Sequence, residues 1–291
     1  MPELRELRLF VSIVRAGSIS AAARELGMSQ PALSRSLARL ERLIGRSLIE
    51  RDSHRFEVTA AGRVLFSEAT DLLAAAEAAL RRTERAGTTA LVVAAKPDSD
   101  LDLLPQVLDD LADADDPLEI SIMLCEQTEV IELVRRAAAD VALLAGPVER
   151  RGVAVVPLHS EPRVVVFSGD HPYAARRQLR LDETTELPIA RWPAVPEALD
   201  RYYQGRDGAG AGMPPGTGPQ VRDLSEVLRL AELGRAATFL PQSVAARYRR
   251  PRLVSRRVRG LSESQLVAVR RAGVVDQRID RFISCCHGIL A

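Results

Sequence analysis

A chain of 291 residues with 46% hydrophobic content can bury more than one core, and 40 basic against 39 acidic residues leave a formal net charge of +1. That balance excludes a protein that is basic throughout, so any affinity for nucleic acid has to come from a local patch. No apolar run reaches the length of a membrane span and Met1-Pro2-Glu3-Leu4-Arg5 leads into no signal-peptide core, which makes the cytoplasm the expected location.

The first informative stretch runs from Gly17 to Ser36. Ser18 and Ser20 can cap a helix start, Ala21-Ala22-Ala23-Arg24-Glu25-Leu26 propagates it, and Gly27 can take a left-handed turn at no steric cost. Ser29 ahead of Gln30-Pro31 starts a second helix, because proline lacks the amide hydrogen that the first turn leaves unbonded anyway. Leu33, Leu37, Leu40 and Ile44 form one buried stripe along it, opposite Gln30, Ser34, Arg35, Arg39 and Arg42. Two helices about a tight turn, with amide and guanidinium donors at the start of the second, predict a helix-turn-helix over about 18–37. Gly45–Arg51 and His54–Thr59 then read as two short strands of a wing, with Arg51, His54 and Arg55 beside a phosphate backbone. Ten arginines against seven acidic residues in the first 60 supply the local basic patch.

These residues resemble the LysR-type transcriptional regulators. Leu7-Arg8-Leu9-Phe10, Gly17-Ser18-Ile19-Ser20, Ala22-Ala23, Ser29-Gln30-Pro31-Ala32-Leu33-Ser34-Arg35, Leu40-Glu41 and Thr59-Ala60-Ala61-Gly62 carry the resemblance, which extends over the whole chain. It implies Gln30, Pro31, Ser34 and Arg35 as the DNA-facing set, with Arg51 on the wing. Ile49 departs from the family's usual phenylalanine and His54 from its usual arginine, so Arg55 is expected to supply the wing's charge. The implied organisation is a winged helix-turn-helix at 1–59, a linker helix at 60–88 and a two-lobe α/β effector domain of periplasmic-binding-protein type at 89–291. Lobe 1 is expected over about 89–161 and 265–291, and lobe 2 over about 162–264.

From Ala60 to Arg85 no proline interrupts, and Leu65, Ala69, Leu72, Ala76 and Ala79 recur at four, three, four, three. That spacing predicts a coiled-coil seam, set against a helix packed on its own body. The expected job of such a seam is to pair two heads on double-stranded promoter DNA, and the resemblance implies a homodimer or homotetramer. Ala90–Ala95, Leu118–Leu124 and Asp140–Ala145 read as strands alternating with helices at Leu103–Leu111 and Val130–Ala139, which predicts a parallel sheet. Arg163–Phe167, Pro188–Trp192 and Ala236–Pro241 read as strands of the second lobe, the last preceded by a helix over Leu224–Leu233. Leu266–Val269 returns the chain to the first lobe, and Ile279–Leu290 closes it as a helix. The segment Gly205–Pro219 is so dense in glycine and proline that a flexible surface loop is expected, not a phosphate cradle.

By the resemblance, the cleft between the lobes holds a small-molecule inducer and no other cofactor or metal. Ser99 and Thr128, each in a loop between a strand and a helix, are the candidate effector contacts, set against simple helix capping. Cys125, Cys285 and Cys286 raise the alternative of a redox-responsive regulator, against a default of core packing. An enzyme fused to a winged-helix head is disfavoured, because His54, His159, His171 and His287 are scattered and form no catalytic or metal-ligating spacing. A secreted solute-binding protein would lack the DNA-binding head.

Overall fold

The computed structural model describes residues 1–52, 55–84, 90–97, 102–193 and 195–290, and for residues 51, 52, 55, 82 and 84 the backbone alone. The chain divides into two compact units, the first holding the elements up to the long helix together with Arg135–Ala137 and the second the rest from β3 onward.

In the first unit, α1 (Leu4–Ala16), α2 (Ile19–Glu25) and α3 (Gln30–Ile44) pack their apolar stripes together, with Phe10, Ile13, Leu33, Leu37 and Leu40 buried at the centre. The starts of α2 and α3 are capped by serines as expected, although Ser20 lies inside α2 and takes no part: the Ser18 hydroxyl accepts from the Ala21 amide at 3.1 Å and Ser29 from Ala32 at 3.4 Å. Gly27 sits at φ 63°, so the turn between α2 and α3 uses the conformation only glycine takes freely. The wing follows as β1 (Ile49–Asp52) paired antiparallel with β2 (Arg55–Val58). Thr59 closes it, donating to the Ser47 carbonyl at 2.8 Å and accepting from the Gly62 amide at 2.9 Å at the entry to α4 (Ala60–Glu84).

The second unit begins with β3 (Leu91–Ala95), α5 (Leu103–Ala112), β4 (Ile120–Leu124), α6 (Gln127–Arg135), β5 (Val141–Ala145) and β6 (Val153–Glu161). The chain then crosses into a second sheet through β7 (Arg163–Ser168), β8 (Gln178–Arg180), α7 (Glu197–Tyr203), α8 (Leu224–Glu232), β9 (Thr238–Pro241), α9 (Gln242–Arg247) and β10 (Leu253–Arg259). It returns as β11 (Ser264–Arg271) and ends in α10 (Gln277–Leu290). The first sheet has the order β4-β3-β5-β11-β6 and the second β8-β10-β7-β9. Helices α5 and α10 cover one face of the first sheet, where Leu91, Val93, Val107, Leu143, Phe282 and Cys286 meet.

Three expectations are corrected. The first sheet is mixed: β3, β4 and β5 are parallel, whereas β11 runs antiparallel to β5 and β6, because the chain re-enters from the other lobe. Pro188–Trp192 is not a continuous strand; isolated bridges, Ile189 to Ala237 and Arg191 to Gln220, tie it down together with the Trp192 amide's bond to Asp200 at 3.2 Å. The glycine-rich segment is a packed loop, not a free one. The Gly216 amide donates to Gln204 at 2.8 Å and Arg206 Nε to the Met213 carbonyl at 2.9 Å, and a Cβ on Gly216 or Gly218 would lie 2.3 Å from a carbonyl oxygen of Ile189 or Pro188. Small residues there let two backbones touch.

Candidate functional site

Gln30, Pro31 and Arg35 are exposed at the start of α3 and Ser34 is half-buried, while Leu33, Leu37 and Leu40 on the other side are buried. The donor-bearing face is therefore held outward by the packing of the apolar one. Arg39 is exposed too, but its Nε lies 3.0 Å from Glu6 Oε1, and Glu6 Oε2 accepts from the Glu3 amide at 3.0 Å. One carboxylate thus caps α1 and ties it to α3, so Arg39 has a structural partner that the spacing did not reveal. Glu41 has a comparable role: its Oε1 accepts from the Leu48 amide at 2.9 Å and the Ile49 amide at 3.3 Å, fixing where the wing leaves α3. On the wing, Arg51 stands opposite Phe56 and Arg55 opposite Asp52 in the backbone register; the side chains of both arginines, and all of His54, lie outside the described residues.

The seam on α4 divides. Leu65 and Ala69 turn into the head's own core together with Leu73, whereas Leu72 is 51% and Leu80 66% exposed. Leu65 and Ala69 are corrected accordingly: a helix turning every 3.6 residues drifts off a strict seven-residue repeat, and α1 takes up the first two turns. Ala79 is exposed and Ala76 half-buried, leaving Leu72, Ala76 and Ala79 as the outward part.

Within the second unit a cleft separates the two sheets. A cavity of about 360 Å³ is lined by Lys96, Glu126, Gln127 and Thr128 on the first lobe and by Trp192, Tyr203, Arg222 and Ser225 on the second. A smaller one of about 50 Å³ adds Glu161, Tyr202 and Ser243. The carboxyl ends of β3 and β5 and the start of α6 open into this space, the usual place for a ligand in an open α/β sheet. Thr128 is on the wall; Ser99 lies outside the described residues.

Several contacts among the described residues tie the lobes across the cleft. The Tyr203 hydroxyl donates to Gln127 Oε1 at 2.8 Å, and Gln127 Nε2 donates to the Ala145 carbonyl at 3.0 Å. The Tyr202 hydroxyl donates to Ser264 Oγ at 2.8 Å. The Ser243 amide and hydroxyl both donate to Glu161, at 2.8 and 2.7 Å, and Arg247 pairs with Asp102. Burial pushes both phenols above their ordinary range, so they stay protonated and act as donors. Beneath them the Arg163 guanidinium, 0% exposed, donates to the carbonyls of Ser262 and Tyr202 at 2.8 and 2.5 Å, pairs with Asp207 at 2.7 Å and lies 3.9 Å from the centre of the Tyr202 ring. Arg163 and Ser262 belong to the two strands of chain that join the lobes, so one buried cation fixes both crossings to the cleft wall.

The chain matches a family model for the bacterial regulatory helix-turn-helix of the lysR family over residues 4–63 and one for the LysR substrate binding domain over 84–290. It belongs to the LysR family. It is 34% identical over 181 residues to the Hca operon transcriptional activator HcaR of Escherichia coli, covering 61% of this chain and 60% of that one. It is 33% identical over 195 residues to a probable hydrogen peroxide-inducible genes activator of Mycobacterium leprae, covering 65% and 61%. The chain therefore spans about three-fifths of these curated relatives. Among solved structures, a Corynebacterium glutamicum OxyR C206 mutant aligns over 99% of this chain and 93% of that one, with a TM-score of 0.58 and 28% identity. Full-length CbnR complexed with its target DNA aligns over 99% of both chains at 0.56 and 23%, a likeness of fold. LysR regulators thus share this architecture, a winged helix-turn-helix, a linker helix and a two-lobe α/β body.

Sequence reasoning missed Gln127, Glu161, Arg163, Tyr202 and Tyr203. A signal was present in Tyr202-Tyr203, two adjacent aromatics at a helix end in a chain with only 4% aromatic residues.

Proposed function

We propose that the chain is a transcriptional regulator that binds promoter DNA through α3 and the wing, as an oligomer paired along the outward face of α4, and that answers to a small-molecule effector held in the cleft. It works in the cytoplasm and performs no catalysis. The observation that carries this reading is the outward Gln30-to-Arg35 face of a capped helix whose opposite side buries Leu33, Leu37 and Leu40. Gln30 and Arg35 meet base edges, Pro31 and Ser34 set the approach of the helix, and Arg39, Arg51 and Arg55 meet phosphates. Thr128, on the cleft wall with Gln127 and Tyr203, contacts the effector, and Ser99 is a second candidate contact.

The similarity to a peroxide-inducible activator favours a second reading, sensing through thiols. The thiols oppose it. Burial and neighbouring carboxylates push Cys125 and Cys285 above the ordinary thiol range and burial pushes Cys286 up to about 12, away from the thiolate that oxidants attack.

Recovering genomic fragments bound by the purified chain gives a site on which the head is tested. Arg35→Ala should weaken that site by about 1–3 kcal/mol while changing random-sequence DNA far less. Equal losses on both, measured by titration at fixed salt, would remove Arg35 from base reading.

A further inference from the structure

The two lobes carry opposite charge. Residues 163–263 hold seventeen arginines against eleven acidic residues, whereas 90–162 with 264–290 hold nine basic residues against seventeen acidic ones. The surplus of the second lobe gathers in 247–259, which has seven arginines and no acidic residue. Four of the seven are engaged: Arg247 with Asp102, Arg250 with Glu232, Arg252 with Asp170 at 3.5 Å, and Arg256 with the carbonyls of Ala174 and Arg176. The side chains of Arg249, Arg257 and Arg259 make no hydrogen bond or ion pair with any described residue.

Arg257 and Arg259 share one face of β10. Val258 between them is buried with its register partner Leu179 in the core on the other side of the sheet. The face that Arg257 shares with its partner Val164 is covered over β7 and β9 by α8 and α9, which bury Val164, Val166 and Leu240. Leu253 at the start of β10 still packs with that cluster, but beyond it the same face of β10 and β8 is bare: Gln178, Arg180, Ser255, Arg257 and Arg259 are all exposed there. Arg259 and Arg180, paired in register, border a hollow of about 520 Å³ whose one carboxylate, Asp182, is already held by Arg180. Alternate residues on a strand stand roughly 6.8 Å apart, two steps of the 3.4 Å rise of duplex DNA. Exposed guanidiniums at that spacing on an uncovered stretch of strand suit a row of phosphates better than an apolar partner.

We propose that this face of the second lobe, built on Arg257 and Arg259, is a second DNA-contacting surface that engages backbone phosphates flanking the stretch held by the head. It rests on the reading of the head as DNA-binding and adds to it a contact that carries no sequence information. Its signature is therefore electrostatic.

The test uses the full-length protein and a duplex it selects from a random pool, trimmed to about 20 base pairs or extended with flanks to about 80, with affinity measured across salt. Arg257→Ala with Arg259→Ala should lower the slope of log affinity against log salt by about 1.8 on the long duplex and leave the short one unchanged. Arg257→Lys with Arg259→Lys should restore the slope, since phosphate contact needs the charge and not the fork. An unchanged slope on the long duplex, an equal fall on both duplexes, or failure of the lysine pair to restore it would each overturn the assignment. A failure of the head reading shows separately, as absence of any selected site or as indifference of the selected site to Arg35→Ala.

Discussion

Single carboxylates do the fine positioning in the head and a single thiol reports on the packing of the body, and each can be tested alone. Glu6 and Glu41 sit on ordinary amphipathic helices, and their sequence context says only that they are charged; their partners are amides and a guanidinium that tertiary folding brings to them. Cys286 offers the clearest expectation. Its thiol ionises near 9 in an unfolded chain and at about 12 in the folded one. Between those values the unfolded state has lost a proton that the folded state keeps, so this residue's contribution to stability falls as pH rises through that window. At pH 8 a chain carrying Cys125→Ser and Cys285→Ser should leave Cys286 unlabelled by an aromatic disulfide reagent until denaturant is added. Rapid labelling of the native protein would contradict the burial argument and reopen the thiol-sensing reading.

Elements were legible where one rule decided them. The caps at Ser18 and Ser29, the turn at Gly27 and the stripe on α3 could be read because helix ends and helix faces are local properties. Strands β6 and β10 were not: the apolar run of the first, Val153 to Val156, is cut short by Pro157, and three arginines occupy the second. On α4 the repeat was visible but not its rotation, because only the position of α1 decides which alanines and leucines face inward. The glycine-rich segment misled because composition reports what the backbone can do and not what it touches. Gly216→Ala and Gly218→Ala should each lower stability by about 1–3 kcal/mol in thermal or urea denaturation, since a Cβ meets fixed backbone, as overpacking does elsewhere. A methyl on Gly212 meets nothing within 4 Å, so Gly212→Ala should be neutral or slightly stabilising. A loop that tolerated all three equally would not be packed as described.

At the scale of the whole chain, the family architecture was legible from the head, whereas the chemistry of the cleft was not. Tyr203 and Gln127 meet across 76 positions, and Tyr202 and Ser264 across 62, and no periodicity spans such distances. The order of the first sheet carries a further consequence, for synthesis. β11 lies between β5 and β6, so β6 has no neighbour in its sheet until β11 arrives, after all of residues 163–263 have been made. The second lobe needs nothing from outside itself to pair its strands, because β7 to β10 all lie within that insertion. On the ribosome the inserted lobe should therefore close first, while Val153–Glu161 waits as an open strand edge, the feature most prone to pairing wrongly with another chain. Arrested nascent chains that expose residues only up to Gly260 should be cut by protease within Val153–Glu161 and spared within Arg163–Arg259, and release of a further stretch through Arg271 should protect both. A nascent chain already protected at Val153–Glu161 before β11 emerges would mean that another strand holds the place in the meantime.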